Sequence, residues 1–279
     1  YIMNGVSLLY KAIDHPLISI SVTLTKFVMF ERDCFFPHKL SSVQIINGTK
    51  YIDARKLLAD LHQWDVETGS KHLPIFDHAM LFTSNDLYQD VPSNNKIQGI
   101  CETIGVCIVG KRVSVIQAGD YVRTVLVATH ELGHNLGADH DGTNRSRECK
   151  AEDLFIMSPT TYQTHPDKPY SKNPWIFSNC TIRSFRNILP FKHCVIAQGK
   201  VYNETEWMTY MAKQPGEVYT PDEQCHHTNG QYSLYCGTEP SEICHLMRCT
   251  DPKTRRCLPN YFSAARGTPC VQNMWCING

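Results

Sequence analysis

A chain of 279 residues, 42% hydrophobic and 19% charged, can fill a sizeable core, which excludes wholesale disorder. Its 27 Lys and Arg balance 27 Asp and Glu, so a dominant electrostatic nucleic-acid surface is excluded as well. No apolar run reaches the roughly 20 residues of a membrane-spanning helix, and 13 cysteines point to an oxidising compartment.

Residues 18–30 alternate, with Ile18, Ile20, Val22 and Leu24 on one face, and read as a long strand. Residues 54–64 place Leu57, Leu58, Leu61 and Trp64 at helical spacing behind Asp53, a suitable N-cap. Residues 77–83 read as a short strand. Residues 100–108 and 113–117 read as two more, joined by a turn at Gly110. The clearest helix covers 120–136: Val122, Val125, Leu126, Thr129 and Leu132 build one side and Gly137 ends it. A further helix over 180–189 stops at Pro190. Helices interleaved with strands predict an α/β domain, a sheet covered by helices.

Six cysteines lie in the first 200 residues and seven in the last 55. The predicted organisation is therefore an α/β domain over 1–200, a connector over 201–216 and a small module over 217–279. A module of that size depends on cross-links rather than on an ordinary core. Asn-x-Ser/Thr sequons at Asn47, Asn144, Asn179 and Asn203 fit glycosylation during secretion.

The chemistry is concentrated in His130-Glu131-Leu132-Gly133-His134-Asn135-Leu136-Gly137-Ala138-Asp139-His140-Asp141. Residues four apart share a helix face, so His130 and His134 can turn ring nitrogens to one Zn²⁺. Glu131 lies beside the first ligand, where its carboxylate can serve as base to a water. Gly137 breaks the helix and returns the chain, so that His140 becomes the third ligand. Three imidazoles leave one position open, as a catalytic rather than a structural zinc requires. A histidine taken alone would more often be structural; three ligands, a base and a turn glycine in register are not read that way.

This string resembles the signature of the metzincin zinc proteases. The Asp that follows resembles their adamalysin (reprolysin) branch, which includes snake-venom metalloproteases and the ADAM and ADAMTS proteases. The resemblance implies a mixed, twisted sheet flanked by helices, with a first strand preceding Tyr1. It implies that Ile156-Met157-Ser158-Pro159 is the Met-turn, Met157 underlying the histidines. It further implies that residues 97–103, with Ile97, Gly99, Ile100 and Thr103, form an edge strand. An extended substrate would pair with that edge, and Thr160 and Tyr170 would lie in the wall of its S1′ pocket. Asp77 matches a calcium ligand of the family. However, Val195-Ile196-Ala197 replaces the side-chain oxygens that relatives place there, so Asp77 either contributes to a weak Ca²⁺ site or caps or pairs locally.

The same resemblance implies the bridges Cys107–Cys194 and Cys149–Cys180, with Cys34 and Cys101 left to pair. The C-terminal module resembles the disintegrin-like domain of the ADAMTS group. That likeness implies Cys225–Cys249, Cys236–Cys257 and Cys244–Cys276, with Cys270 awaiting an eighth cysteine beyond Gly279. Taken together, the reading is a secreted zinc endopeptidase of tissue, venom or saliva, held inactive by a pro-segment before maturation and acting on extracellular proteins. Neither a nucleic-acid partner nor a membrane span is expected. Two rival readings are an adhesion protein working through its C-terminal module and a small-molecule zinc hydrolase.

Overall fold

The computed structural model describes residues 1–29, 42–46, 49–73, 75–89, 95–119, 121–159, 173–196, 213–240, 242–259 and 263–277. In chain order these form α1 (Ile2–Lys11), β1 (Val43–Ile46), β2 (Thr49–Asp53) and α2 (Ala54–Trp64). A π-helical turn, Asp65–Gly69, leads into a short α3 (Ser70–His72). Next come β3 (Ala79–Thr83), β4 (Leu87–Tyr88), β5 (Lys96–Ile97), β6 (Gly99–Cys101), β7 (Val113–Gln117), α4 (Tyr121–Asn135), α5 (Asn179–Ile188) and α6 (His193–Ile196).

The central sheet has the order β3-β7-β6; β3 and β7 are parallel, and β6 runs antiparallel to β7. Alternate residues of these strands face opposite layers. Val113, Val115, Leu81 and Ile100 pack with Leu57, Leu58 and Leu61 of α2. Ile116, Met80 and Phe82 pack with α1 and α4 on the other face. A second, four-stranded sheet of short strands, β1-β2-β4-β5, runs into the first one where β5 continues through Gln98 into β6. The predicted α2 is present with its cap: the Asp53 carboxylate accepts from Lys56 N at 3.1 Å.

Two strand assignments need correction. Residues 18–29 keep their alternation, with Ile18, Ile20 and Val22 packed on the α1/α4 core, yet no ladder pairs them among the described residues. Alternation reports which side is buried, and a strand also needs a hydrogen-bonding neighbour. The strand expected over 100–108 stops at Cys101, because Ile104 (φ 64°) and Cys107 (φ 68°) take left-handed conformations that end an extended run. That segment instead closes the end of α4: Ile104 N donates to His134 O (3.0 Å) and Val106 N to Asn135 O (3.2 Å). Lys192 Nζ in turn donates to Ile104 O at 3.1 Å.

A buried ion pair ties α2 to the sheet. Asp65 accepts from Arg112 Nε and Nη2, both at 3.2 Å, from Gly110 N at 2.8 Å and from Ser70 Oγ at 3.0 Å. Arg112 also donates to Phe76 O (2.6 Å) and lies over the Phe76 ring. With its acceptors filled, the carboxylate retains in protein the hydrogen bonds it loses in water.

The C-terminal module contains α7 (Pro215–Val218), α8 (Pro221–Asn229) and two small hairpins, β8 (Arg248–Thr250) with β9 (Cys257–Pro259) and β10 (Pro269–Val271) with β11 (Met274–Trp275). Helix α7 begins inside the expected connector, whose residues 201–212 lie outside the described ones. Among the described residues five bridges form: Cys107–Cys194, Cys149–Cys180, Cys225–Cys249, Cys236–Cys257 and Cys244–Cys276. Half-cystines supply much of the module's core, beside Ile243 and Met247. Tyr219 of the module meets Tyr1 edge-on at 5.4 Å. The expected Cys34–Cys101 bridge falls on Cys34, which lies outside the described residues; Cys101 itself carries a free thiol whose sulfur meets α4. Cys270 is also a free thiol.

Candidate metal centre

Helix α4 carries His130, Glu131 and His134 in its last turns. Just beyond it Gly137 adopts φ +112°, where a side chain would be strained and a Cβ would come within 2.5 Å of Ile188 Cδ1. The turn is closed by Gly137 N to His134 O (2.8 Å) and Ala138 N to Gly133 O (2.9 Å). It presents His140 to the other two rings. His140 Nε2 lies 3.1 Å from His130 Nε2 and 3.0 Å from His134 Nε2.

Protonation follows from the opposite ring nitrogens. His130 Nδ1 lies 2.7 Å from Ile156 O, and His134 Nδ1 lies 2.8 Å from Ala138 O. A carbonyl only accepts, so each Nδ1 carries the proton and each Nε2 presents a lone pair. Converging lone pairs repel unless a cation lies among them. Tetrahedral zinc, with Zn–N near 2.0–2.1 Å, would space its nitrogens about 3.3 Å apart, close to the separations here. The three imidazoles fit that ion. Burial lowers all three proton affinities, aided at His130 and His134 by the neighbouring rings, and takes His134 to about 4. Neutral ligands are therefore available at ordinary pH.

Met157 is fully buried beneath the helix; a Cβ on Gly133 would stand 2.6 Å from its Sδ. The same turn supplies Ile156 O to His130 and accepts Asp141 N at Met157 O (2.9 Å). The Asp141 side chain accepts from Ser178 Oγ at 2.6 Å, and Ser178 also caps α5. These contacts lock the third ligand's loop to the helix behind it.

Glu131 is 6% exposed, and its carboxyl group lies against Gly99 of β6. Burial pushes its proton affinity up to about 8, and the nearby Cys101 thiol acts in the opposite direction. Gly99 and Ile100 belong to the terminal strand of the β3-β7-β6 order. Ile97 sits in β5 opposite Leu87, and Thr103 lies exposed past the end of the strand. Thr160 and Tyr170 lie outside the described residues, as do Asn47 and Asn203; Asn144 and Asn179 are exposed. Asp77 is exposed beside the Cys107–Cys194 staple, its carbonyl accepting Cys107 N at 3.4 Å. Among the described residues no three-ligand group includes it.

A polar network escaped sequence reasoning. Buried Asn135 donates to Glu102 O (2.9 Å) and Lys111 O (3.0 Å), and its Oδ1 meets His78 Nδ1 at 2.8 Å. His78 Nε2 meets Ser114 Oγ at 2.9 Å. This joins the end of the ligand-bearing helix to β3, β7 and the exit of β6. No local signal announces it, because the partners are 24 to 57 residues apart.

Burial lowers the His78 proton affinity to about 4, so the folded protein keeps it neutral. The unfolded chain binds a proton there below about 6.5. Stability tied to His78 is thus present above that value and is lost as pH falls toward 4, on the order of 3 kcal/mol in all. Urea unfolding at pH 7.5 and pH 5, at constant zinc, should show a smaller acid loss in His78→Gln than in the parent. Equal losses would remove His78 from the acid response.

Residues 44–197, more than half of the chain, match the reprolysin (M12B) family of zinc metalloproteases. Residues 215–279 match the ADAMTS cysteine-rich domain 2. Over 294 residues the chain is 27% identical to a protein of Bombyx mori named "A disintegrin and metalloproteinase with thrombospondin motifs like", covering 99% of this chain and 39% of that protein. It is 27% identical over 290 residues to "A disintegrin and metalloproteinase with thrombospondin motifs 18" of Mus musculus, covering 100% and 21%. Against number 16 of the same series, also from Mus musculus, identity is 28% over 231 residues, covering 80% and 17%. The chain therefore spans less than half the length of these relatives.

Proposed function

This chain belongs to the reprolysin (M12B) family of zinc metalloproteases, and from that premise we propose that it is a secreted endopeptidase cutting internal peptide bonds of extracellular proteins. The observation that carries the reading is the convergence of three imidazole Nε2 atoms, with the carboxyl group of the residue after the first ligand buried against the end strand of a sheet. Five disulfides and the exposed sequon residues Asn144 and Asn179 support secretion and glycosylation. No helix among the described residues is long and apolar enough to cross a membrane.

His130, His134 and His140 would hold the ion, their tautomers set by the carbonyls behind them. Bound there, zinc supplies Lewis-acid polarisation of the attacking water and the scissile carbonyl. A cation held by the neighbouring imidazoles would favour the ionised form of Glu131 against the effect of burial, and its carboxylate would take the proton of that water and later give it to the departing amide nitrogen. The backbone of β6 aligns the substrate as an added antiparallel strand, which favours extended segments over small molecules. An inhibitory pro-segment keeps the site closed before maturation.

The deciding experiment maps cut sites in an extracellular proteome with and without a zinc chelator. Chelator-sensitive cleavage of proteins supports the reading; hydrolysis confined to small amides overturns it. We also propose a weak calcium site at Asp77, in keeping with the poverty of nearby side-chain oxygens. Millimolar calcium should raise the thermal midpoint of the parent but not of Asp77→Ala, zinc held constant.

A further inference from the structure

Two residues of β6 bracket Glu131. At Gly99 a Cβ would lie 2.5 Å from Glu131 Oε1 and 2.7 Å from its Cγ, so only a residue without a side chain leaves the carboxyl group its place. Two residues along, on the same face of the strand, the Cys101 thiol donates to Glu131 O at 3.0 Å. Ile100 between them points the other way and packs with the α2 cluster.

We propose that Cys101 is a positioning residue for the hydrolysis, its thiol and the bare face of Gly99 together fixing Glu131 between the edge strand and the three imidazoles. The proposal rests on Glu131 acting as the base. A thiol suits the position for two reasons. It is small enough to sit against a helix carbonyl, and it tolerates burial better than a hydroxyl while still donating. A bulkier or donor-free side chain would let β6 and α4 shift relative to each other. A displacement of about 1 Å at a reacting group can cost 100-fold in rate.

The test compares Cys101→Ser and Cys101→Val with the parent on a fluorogenic peptide spanning a mapped cut site. For each protein, kcat, KM, bound zinc and thermal midpoint are measured. Cys101→Ser retains a donor to Glu131 O and should keep kcat within a few-fold. Cys101→Val, similar in size without the donor, should lower kcat by about 10- to 100-fold with zinc and KM unchanged. If the valine variant fails to fold, Cys101→Ala carries the same expectation without added bulk. Parental kcat in a folded, zinc-loaded valine or alanine variant overturns the proposal. So does a serine variant as slow as the valine one, or peptide mapping that finds Cys101 in a disulfide. Glu131→Gln is assayed alongside: a parental rate there would sink the reading of Glu131 as base, a failure distinct from one confined to Cys101.

Discussion

His134→Ala is expected to leave a folded domain that neither retains zinc through dialysis nor hydrolyses peptides. His134 supplies one of three lone pairs at the centre, and its Nδ1 contact to Ala138 O also helps hold the turn that delivers His140. Losing only an outer partner of a metal-bound imidazole typically costs about 10–100-fold in metal affinity. Losing the imidazole itself should cost more, since two remaining ligands hold the ion poorly. Elemental analysis and competition with a chromogenic chelator measure the effect. His130→Ala and His140→Ala should behave alike. Stoichiometric zinc with normal turnover in any of the three would falsify the assignment.

Glu131→Gln should retain the metal and lose the reaction. The amide keeps the shape of a side chain wedged against Gly99, yet it cannot take a proton from water. Loss of a general base usually lowers the rate by about 10²–10⁴-fold, about 3–5 kcal/mol in barrier height. The fall should appear in kcat, with bound zinc at the parental level and KM little changed. If Glu131 were merely a buried helix residue, metal-loaded variant protein would turn over at nearly the parental rate, and steady-state kinetics separates the two outcomes.

Those residues were legible in the sequence because their chemistry is local. His130, Glu131, His134 and His140 span eleven positions on one helix and one turn, and Gly137 marks where the helix must end. Helix α2 was legible too, from a cap and four apolar residues at regular spacing. Helix α1 was not: Gly5 and Ser7 sit mid-helix, diluting the stripe formed by Val6, Leu9 and Tyr10. The two-residue strands β4 and β5 are too short to show any period. Residues 18–29 and 102–108 mislead in a more instructive way. In the first, correct alternation exists without a ladder; in the second, an apolar stretch is diverted to satisfy the last carbonyls of α4. The Asn135–His78–Ser114 network and the Cys101 contact depend on tertiary proximity, which no spacing rule encodes.

The Cys107–Cys194 staple encloses 87 positions, including all of α4, whereas the three bridges of the C-terminal module span only 21 to 32. A chain leaving the ribosome thus exposes Cys107, with Cys101 and Cys149 as nearer partners, long before Cys194 arrives. Biosynthesis in an oxidising lumen would favour those premature cross-links, and reshuffling them takes seconds to hours depending on the available isomerase. Yield from a heterologous host should consequently depend on thiol-exchange catalysts for the protease portion far more than for the module behind it.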